Sequence, residues 1–316
     1  MTGYLPDIGD WSKLNFLALE SNQLSGMLGD WFNFPVLEYL ALGDNQFSGT
    51  LPDFSSFTKL REVALDKNRF SGPVDVFNGA TELEILYLQE NVFSGSISDS
   101  TFANLKLKNL DMSDNFLTGT IPEHFFTYSI VDLHNNSLSG ELPSISYAGY
   151  PIQFFSIFQN NLGGSIPQSI GFLEGLTHLD LSENRFTGQI PADLNNLVNM
   201  QYLFMQHNDF EAGTMPSLWK LTNLLELNLR ATNRTDYLHR WVGQSLTKLV
   251  LLDLSDNSFS GSIPEVWGDM SDMRFLFLSK NLINSTIPST FSNMTNLSKL
   301  AQQSCRKNFS SLVPNT

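Results

Sequence analysis

LTHLDLSENRFTGQIP, residues 176–191, decides how this chain folds. The same frame returns as LVLLDLSDNSFSGSIP at 249–264 and as LEYLALGDNQFSGTLP at 37–52. Its asparagine recurs at a nearly fixed interval: Asn22, Asn45, Asn68, Asn91, Asn115, Asn136, Asn160, Asn184, Asn208, Asn257 and Asn281, with Thr232 and Cys305 in the same register. The steps lie between 21 and 25 residues, and a fixed period of that size means stacked structural repeats. The 316 residues are therefore expected to form one solenoid, although length alone would allow several globular domains.

Within each frame the alternation of Leu179 and Leu181 reads as a short strand with one buried face. Phe186, Gly188, Ile190 and Pro191 follow. The glycine permits a sharp turn out of the strand, and the proline is expected to stop any ladder from continuing. The asparagine recurs for a mechanical reason. Its amide carries two donors and an acceptor, and a buried turn leaves backbone groups that need partners. Stacked asparagines can serve their own coil and the neighbouring one. The hydroxyl of Thr232 and the thiol of Cys305 are poorer substitutes, so this ladder is expected to weaken at both.

These frames resemble the leucine-rich repeat family, and the NxFSGxIP element is similar to its plant-type subclass, typical of receptor-like protein and receptor-like kinase ectodomains. The resemblance covers roughly residues 3–300. It implies an α/β solenoid: a right-handed superhelix with a parallel β-sheet on the concave face and an irregular or 3-10 convex side. The array is expected over 1–300, about twelve repeats with the first incomplete, followed by a decayed repeat or frayed tail at 301–316. Thr2, Gly3, Leu5 and Pro6 match the tail of a repeat whose strand is missing, so the chain reads as starting inside an array.

The net charge of −14 and pI near 4.6 argue against nucleic acid, which selects basic surfaces. Peptides, basic protein patches and neutral carbohydrates fit better. The single Cys305 cannot form an internal disulfide, and the cysteine pairs that commonly cap secreted plant-type members are not found. There is no apolar run long enough to span a membrane, and residues 1–20 lack the pattern of a signal peptide. Six N-x-S/T acceptors occur, at Asn135, Asn233, Asn284, Asn293, Asn296 and Asn308. Their crowding after residue 280 favours a secreted, glycosylated chain, with Asn233, Asn284, Asn293 and Asn296 the glycosylation candidates.

The period is broken in few places. Between Asn115 and Asn136 the convex side is shortened while Tyr128, Val131 and Leu133 keep the frame, and Ser144 to Pro151 reads as an irregular convex turn. The coil set by Leu224, Leu227 and Leu229 loses its GxIP frame and carries NRTDYLHRWVGQ at 233–244, the most basic segment of an acidic chain. A short helix in place of the usual turn, with Trp241 in the core, is the expected arrangement there. A ligand-shaping insertion containing Arg240 is the sharper alternative.

The concave strands are the default binding face of a solenoid. Their outward positions gather Phe154, Phe158, His178, Tyr202 and Phe204, with Ile130 and His134 from the preceding coil, into one expected aromatic patch, and clustered exposed aromatics mark contact surfaces. Leu251, Phe275 and Phe277 form a second group, read as covered by a continuation of the array. Asp111, Asp132, Asp180 and Asp253 recur at the outward centre of the strand as a solvated family preference; Asp111 and Asp132 lie on adjacent strands, where a calcium site or a basic-peptide reader is the alternative. The five histidines lack metal-ligand spacing, nothing in the sequence buries a carboxylate to raise its pKa, and no phosphate loop or kinase signature occurs. No metal or other cofactor is expected.

The reading is a non-catalytic recognition module that binds a peptide, glycan or protein on its concave face. The resemblance implies a cell-surface receptor-like protein or receptor-like kinase, any kinase domain lying outside these residues. Two alternatives remain open: a soluble inhibitor of a secreted hydrolase, similar to polygalacturonase inhibitors, and an intracellular, cytoplasmic scaffold.

Overall fold

The computed structural model describes residues 1–5, 11–29, 32 and 34–301. The ladder position Cys305, the acceptor Asn308 and the tail 302–316 lie outside them. A 13-stranded sheet runs from Phe16–Ala18 to Lys299–Ala301, every pairing parallel and between successive coils. Each strand is three residues long, and its central residue is buried in all but the last, where Leu300 is exposed: Leu40, Leu86, Leu110, Phe155, Leu179, Leu203 and Leu252 are wholly enclosed. Register is residue for residue, as in Leu179 opposite Leu203, so one position of the repeat becomes one column along the solenoid.

The asparagine ladder is the hinge of every coil. Asn184 Nδ2 donates to Ile157 O of the preceding coil at 2.8 Å and to Ser182 O of its own at 3.1 Å. Its Oδ1 accepts from Leu162 N at 3.0 Å. Asn45, Asn68, Asn91, Asn115, Asn136 and Asn160 repeat this pattern. The turn that delivers each asparagine needs one left-handed residue immediately before it. Among the described residues it is never glycine: Asp44, Lys67, Glu90, Asp114, Gln159, Glu183 and His207 are examples, at φ between 50° and 57°. Each such residue costs roughly 1 kcal/mol, offset by the amide bonds that follow it.

The segment after the asparagine departs from expectation. Rather than ending the ladder, it forms a second parallel sheet of six strands, from Thr2–Tyr4 to Phe116–Gly119, with smaller ladders at 139–187 and 260–283. Proline does not interrupt it because the strands close before the proline is reached, as Gln46–Thr50 does ahead of Pro52 and Arg185–Thr187 ahead of Pro191. Behind it Phe47, Phe70 and Phe93 stack at 6.0 and 6.3 Å. The convex side carries short 3-10 helices such as Gln168–Phe172 and Ala192–Asn196, each started by the proline that precedes it.

The coil containing Thr232 is the exception. Thr232 Oγ1 donates to its own Leu229 O at 2.7 Å and reaches no carbonyl of the preceding coil. Arg234 compensates. Its wholly buried guanidinium donates to Glu211 O (2.5 Å), Thr214 O (3.1 Å) and Thr232 O (2.8 Å). Burial lowers its pKa to about 10, so it stays charged at neutral pH. The helix expected here is Arg240–Ser245, but Trp241 is only half-buried; Trp267 of the next coil fills the core, donating from Nε1 to His239 O at 2.9 Å.

Replacing Asn184 by alanine orphans Leu162 N, at about 1–3 kcal/mol when buried, and removes one of the two donors on Ile157 O, which keeps Asn160 Nδ2 at 3.1 Å. Urea unfolding of Asn184→Ala is expected to show a loss of about 1–3 kcal/mol; a loss below about 0.5 kcal/mol would mean that the ladder contributes little.

Candidate functional site

Three columns of side chains line the concave face. On one flank of the buried strand centre stand Ile130, Phe154, His178, Tyr202 and Glu226, in register across neighbouring strands. On the other flank stand Asp111, Asp132, Ser156, Asp180 and Phe204. Two residues further on come His134 and Phe158. The expected single patch is thus two stacks on either side of a carboxylate column, because residues 154 and 158 are four apart in an extended chain. Phe154 stacks on His178 at 4.4 Å, and His178 meets Tyr202 at 5.5 Å and Phe204 at 5.7 Å. His134 stacks on Phe158 at 4.5 Å with planes 9° apart.

These rings are less exposed than the sequence implied. Phe204 is buried at 6% exposure, and Phe154, Phe158, His178, Tyr202 and Ile130 are half-buried. Each ring is covered by the ring of the adjacent coil, only one strand spacing away. Burial lowers the His178 pKa to about 4, so it is a neutral aromatic ring.

The carboxylates differ from expectation too. Asp111 Oδ1 accepts from Ser113 N at 3.0 Å and Ser113 Oγ at 2.7 Å; Asp180 and Asp253 brace Ser182 and Ser255 in the same way. They stay the turn after the strand instead of standing in solvent. Burial raises Asp180 to about 7 and, with the charge of Asp132, Asp111 to about 7. The sequence could not signal this, because the flanking rings that exclude water come from other coils. His134 gives Nδ1 to Asp132 Oδ1 at 2.7 Å and Nε2 to Asp114 Oδ2 at 3.2 Å. Burial opposes its charge, but the hydrogen bond and charge of Asp132, aided by Asp114 and Asp111, outweigh it and raise the pKa to about 9. Asp111 and Asp132 do lie side by side.

Two oxygens beside the aromatic stack went unnoticed in the sequence. Gln206 Oε1 and Glu226 Oε2 are buried and have no hydrogen-bond partner among the described residues. Glu226 continues the column of Tyr202, and Gln206 follows Phe204 by two positions. Buried acceptors are normally paired; Gln89 Oε1, at the repeat position of Gln206 in an earlier coil, is left in the same state.

The other candidates lie elsewhere. Arg240 is exposed on its helix and lines a cavity of about 890 Å³ with Tyr237, Glu265 and Ile287, among the turns after the strands. Leu251 and Phe277 are buried within the described coils, with Lys299 Nζ 5.7 Å from the Phe277 ring centre, while Phe275 is half-buried. Of the acceptor asparagines, Asn233 donates to Phe210 O and Asn296 to Ser271 O, both at 2.8 Å, and Asn135 donates to Asp114 Oδ1. Asn284 and Asn293 are exposed.

Comparison with known proteins agrees with this architecture. The Leucine Rich Repeat family model matches residues 106–127, 175–197 and 248–270. A probable LRR receptor-like serine/threonine-protein kinase of Arabidopsis thaliana is 33% identical over 73 residues, which is 23% of this chain and 7% of that protein. The plant peptide hormone receptor RGFR1, solved in complex with RGF2, superposes with a TM-score of 0.87 at 28% identity, over 94% of this chain and 49% of that one. The chain is built of leucine-rich repeats and is similar to the plant-type receptors of that family. This leucine-rich repeat chain is also similar to PEPR1, solved with AtPEP1 (TM-score 0.82, 26% identity, 95% of this chain and 46% of that one). The Arabidopsis receptor kinase HAESA, in complex with the peptide hormone IDA and the co-receptor SERK1, gives 0.79 at 28% identity over 94% and 55%. The chain thus spans about half the length of these solved receptors and a small fraction of the curated kinase.

The raised His134 pKa sets a pH dependence. Relative to an unfolded value of about 6.5, its contribution is full below that pH and is lost as pH rises through about 9. A shift of this size corresponds to on the order of 3 kcal/mol. Thermal unfolding is expected to fall between pH 6.5 and 9 in the parent and to flatten there in His134→Gln; an unchanged slope would contradict the assignment.

Proposed function

We propose that this array is the non-catalytic recognition module of a cell-surface receptor-like protein or receptor-like kinase, and that it binds an extended peptide across its concave face. The observation that carries the reading is the pairing of an aromatic stack with unsatisfied acceptors. Phe154, His178, Tyr202 and Phe204 give a flat apolar plate, while Gln206 Oε1 and Glu226 Oε2 beside it lack donors. A peptide supplies both complements, an apolar side chain for the rings and backbone N–H groups for the oxygens. A saturated hydrocarbon surface would supply only the first.

The peptide complexes of the similar receptors support the same choice of ligand. Extracellular or cell-surface location is part of this proposal, supported by those receptors and by the exposed acceptors Asn284 and Asn293. The Asp111 and Asp132 pair is engaged by Ser113 and His134, which favours a bracing role for it over that of a ligand reader.

The test is selection of binders from a phage-displayed peptide library, followed by titration of the best synthetic peptide. Phe154→Ala combined with Tyr202→Ala is expected to weaken binding at least ten-fold, about 1.4 kcal/mol, with the circular dichroism spectrum kept. Trp219→Ala, on the exposed convex side, is expected to leave affinity unchanged. Equal affinity of the parent and the double variant would remove the concave plate from the site.

A further inference from the structure

The first coils of the concave face carry a second aromatic surface that the reading above does not use. Phe16 and Tyr39 stand in register on adjacent strands and stack at 4.4 Å with planes only 6° apart. Phe16 is 58% exposed. The neighbouring column holds Ala18, Ala41 and Ala64, opposite one another on three successive strands. With no bulk in that column, the Tyr39 ring can lean across it, and its hydroxyl reaches Glu20 Oε1 at 3.4 Å. The result is an aromatic shelf along the sheet.

Carboxylates rim this shelf. Glu20 stands at one edge, Glu62 continues the column of Tyr39, and Asp66 lies over Gly43, where an added Cβ would meet its Oδ1 at 2.5 Å. None of the ion pairs among the described residues uses Glu20, Glu62 or Asp66; the nearby cations Arg61 and Lys67 are paired with Glu84 and Glu90. Further along this face some acids are matched by cations, Asp256 holding both Arg230 and Lys280 and His134 bridging Asp114 and Asp132, while Asp111, Asp180 and Asp253 are engaged by serines instead. Glu62 and Tyr39 both respond to Glu20: after the effect of burial, its charge makes each harder to ionise. An exposed ring face beside unmatched negative charge attracts a cation, above all a planar guanidinium that can stack on the ring while its edge bonds a carboxylate.

We infer that the Phe16/Tyr39 shelf, with Glu20 and Glu62, is a second subsite that takes an arginine side chain of the peptide whose apolar residue occupies the Phe154 to Phe204 plate. This rests on the concave peptide reading given above. The sheet order puts five strand spacings between Tyr39–Ala41 and Phe154–Ser156, about 24 Å at 4.8 Å each. An extended chain covers that span in roughly seven residues, so the ligand carries its arginine about seven positions from its apolar anchor. A peptide much shorter than this engages one subsite only.

The experiment uses fluorescein-labelled synthetic peptides in which phenylalanine and arginine are separated by a glycine-serine spacer of that length, in both sequence orders, titrated by anisotropy against the full chain. Companion peptides replace arginine by citrulline, which keeps the shape and removes the charge, or phenylalanine by alanine. In the better-binding order, arginine is expected to bind about ten-fold more tightly than citrulline. That preference is expected to vanish in Glu20→Gln with Glu62→Gln and to drop in Phe16→Ala, with circular dichroism unchanged. Equal binding of arginine and citrulline peptides, or a preference that survives in the double variant, overturns the shelf. If the preference is present but phenylalanine and alanine peptides bind alike, the shelf stands as a cation site and the plate does not. Failure of every peptide to bind at millimolar concentration overturns both.

Discussion

One buried amide per coil holds this molecule together. Each asparagine joins its own turn to the carbonyl and N–H of the coil before it, and everything on the concave face follows from that coupling. The ladder fixes the coil-to-coil register, the register sets residues of equal repeat position side by side, and the columns so formed are what a ligand would meet. Where the amide is lost, at Thr232, the chain introduces a buried arginine that donates to three carbonyls.

The concave face carries its polar and aromatic groups in different states from those of isolated side chains. His178 and His134 lie in columns on either side of the carboxylates yet differ in charge at neutral pH, one kept neutral by burial among rings, the other held protonated by carboxylates. Asp111 and Asp180 are kept from full ionisation near neutral pH, chiefly by burial. The centre of an acidic protein is consequently less negative than its formal count, whereas Glu20, Glu62 and Asp66 stand together without a cation at the first coils. A peptide crossing the face from the aromatic plate to the shelf passes from a nearly neutral surface to a strongly negative one.

The fold was legible because its signal repeats: Leu179, Leu181 and Asn184 each have counterparts in almost every coil, so local ambiguity averages away. The column membership of Phe154, His178, Tyr202 and Phe204 was legible for the same reason. Their burial was not, since it depends on rings contributed by coils 24 residues away in sequence. The second ladder after the asparagine was hidden by the short FSG segment, too brief to show alternation. The left-handed turn was hidden because Asp44, Lys67 or Glu183 occupies it instead of glycine. The shelf at Phe16 and Tyr39 escaped notice because its mark in the sequence is small residues, the alanines beside it, rather than large ones.

The account's central claim is that recognition occurs on the concave columns rather than on the turns or the cavity beside Arg240. Hydrogen–deuterium exchange of the chain, alone and saturated with a library-selected peptide, tests it most directly. The account predicts added protection in the strands Phe154–Ser156, His178–Asp180 and Tyr202–Phe204 and in the turns that follow them. Protection confined to residues 237–240 and 262–265, or to the convex 3-10 helices, would contradict it.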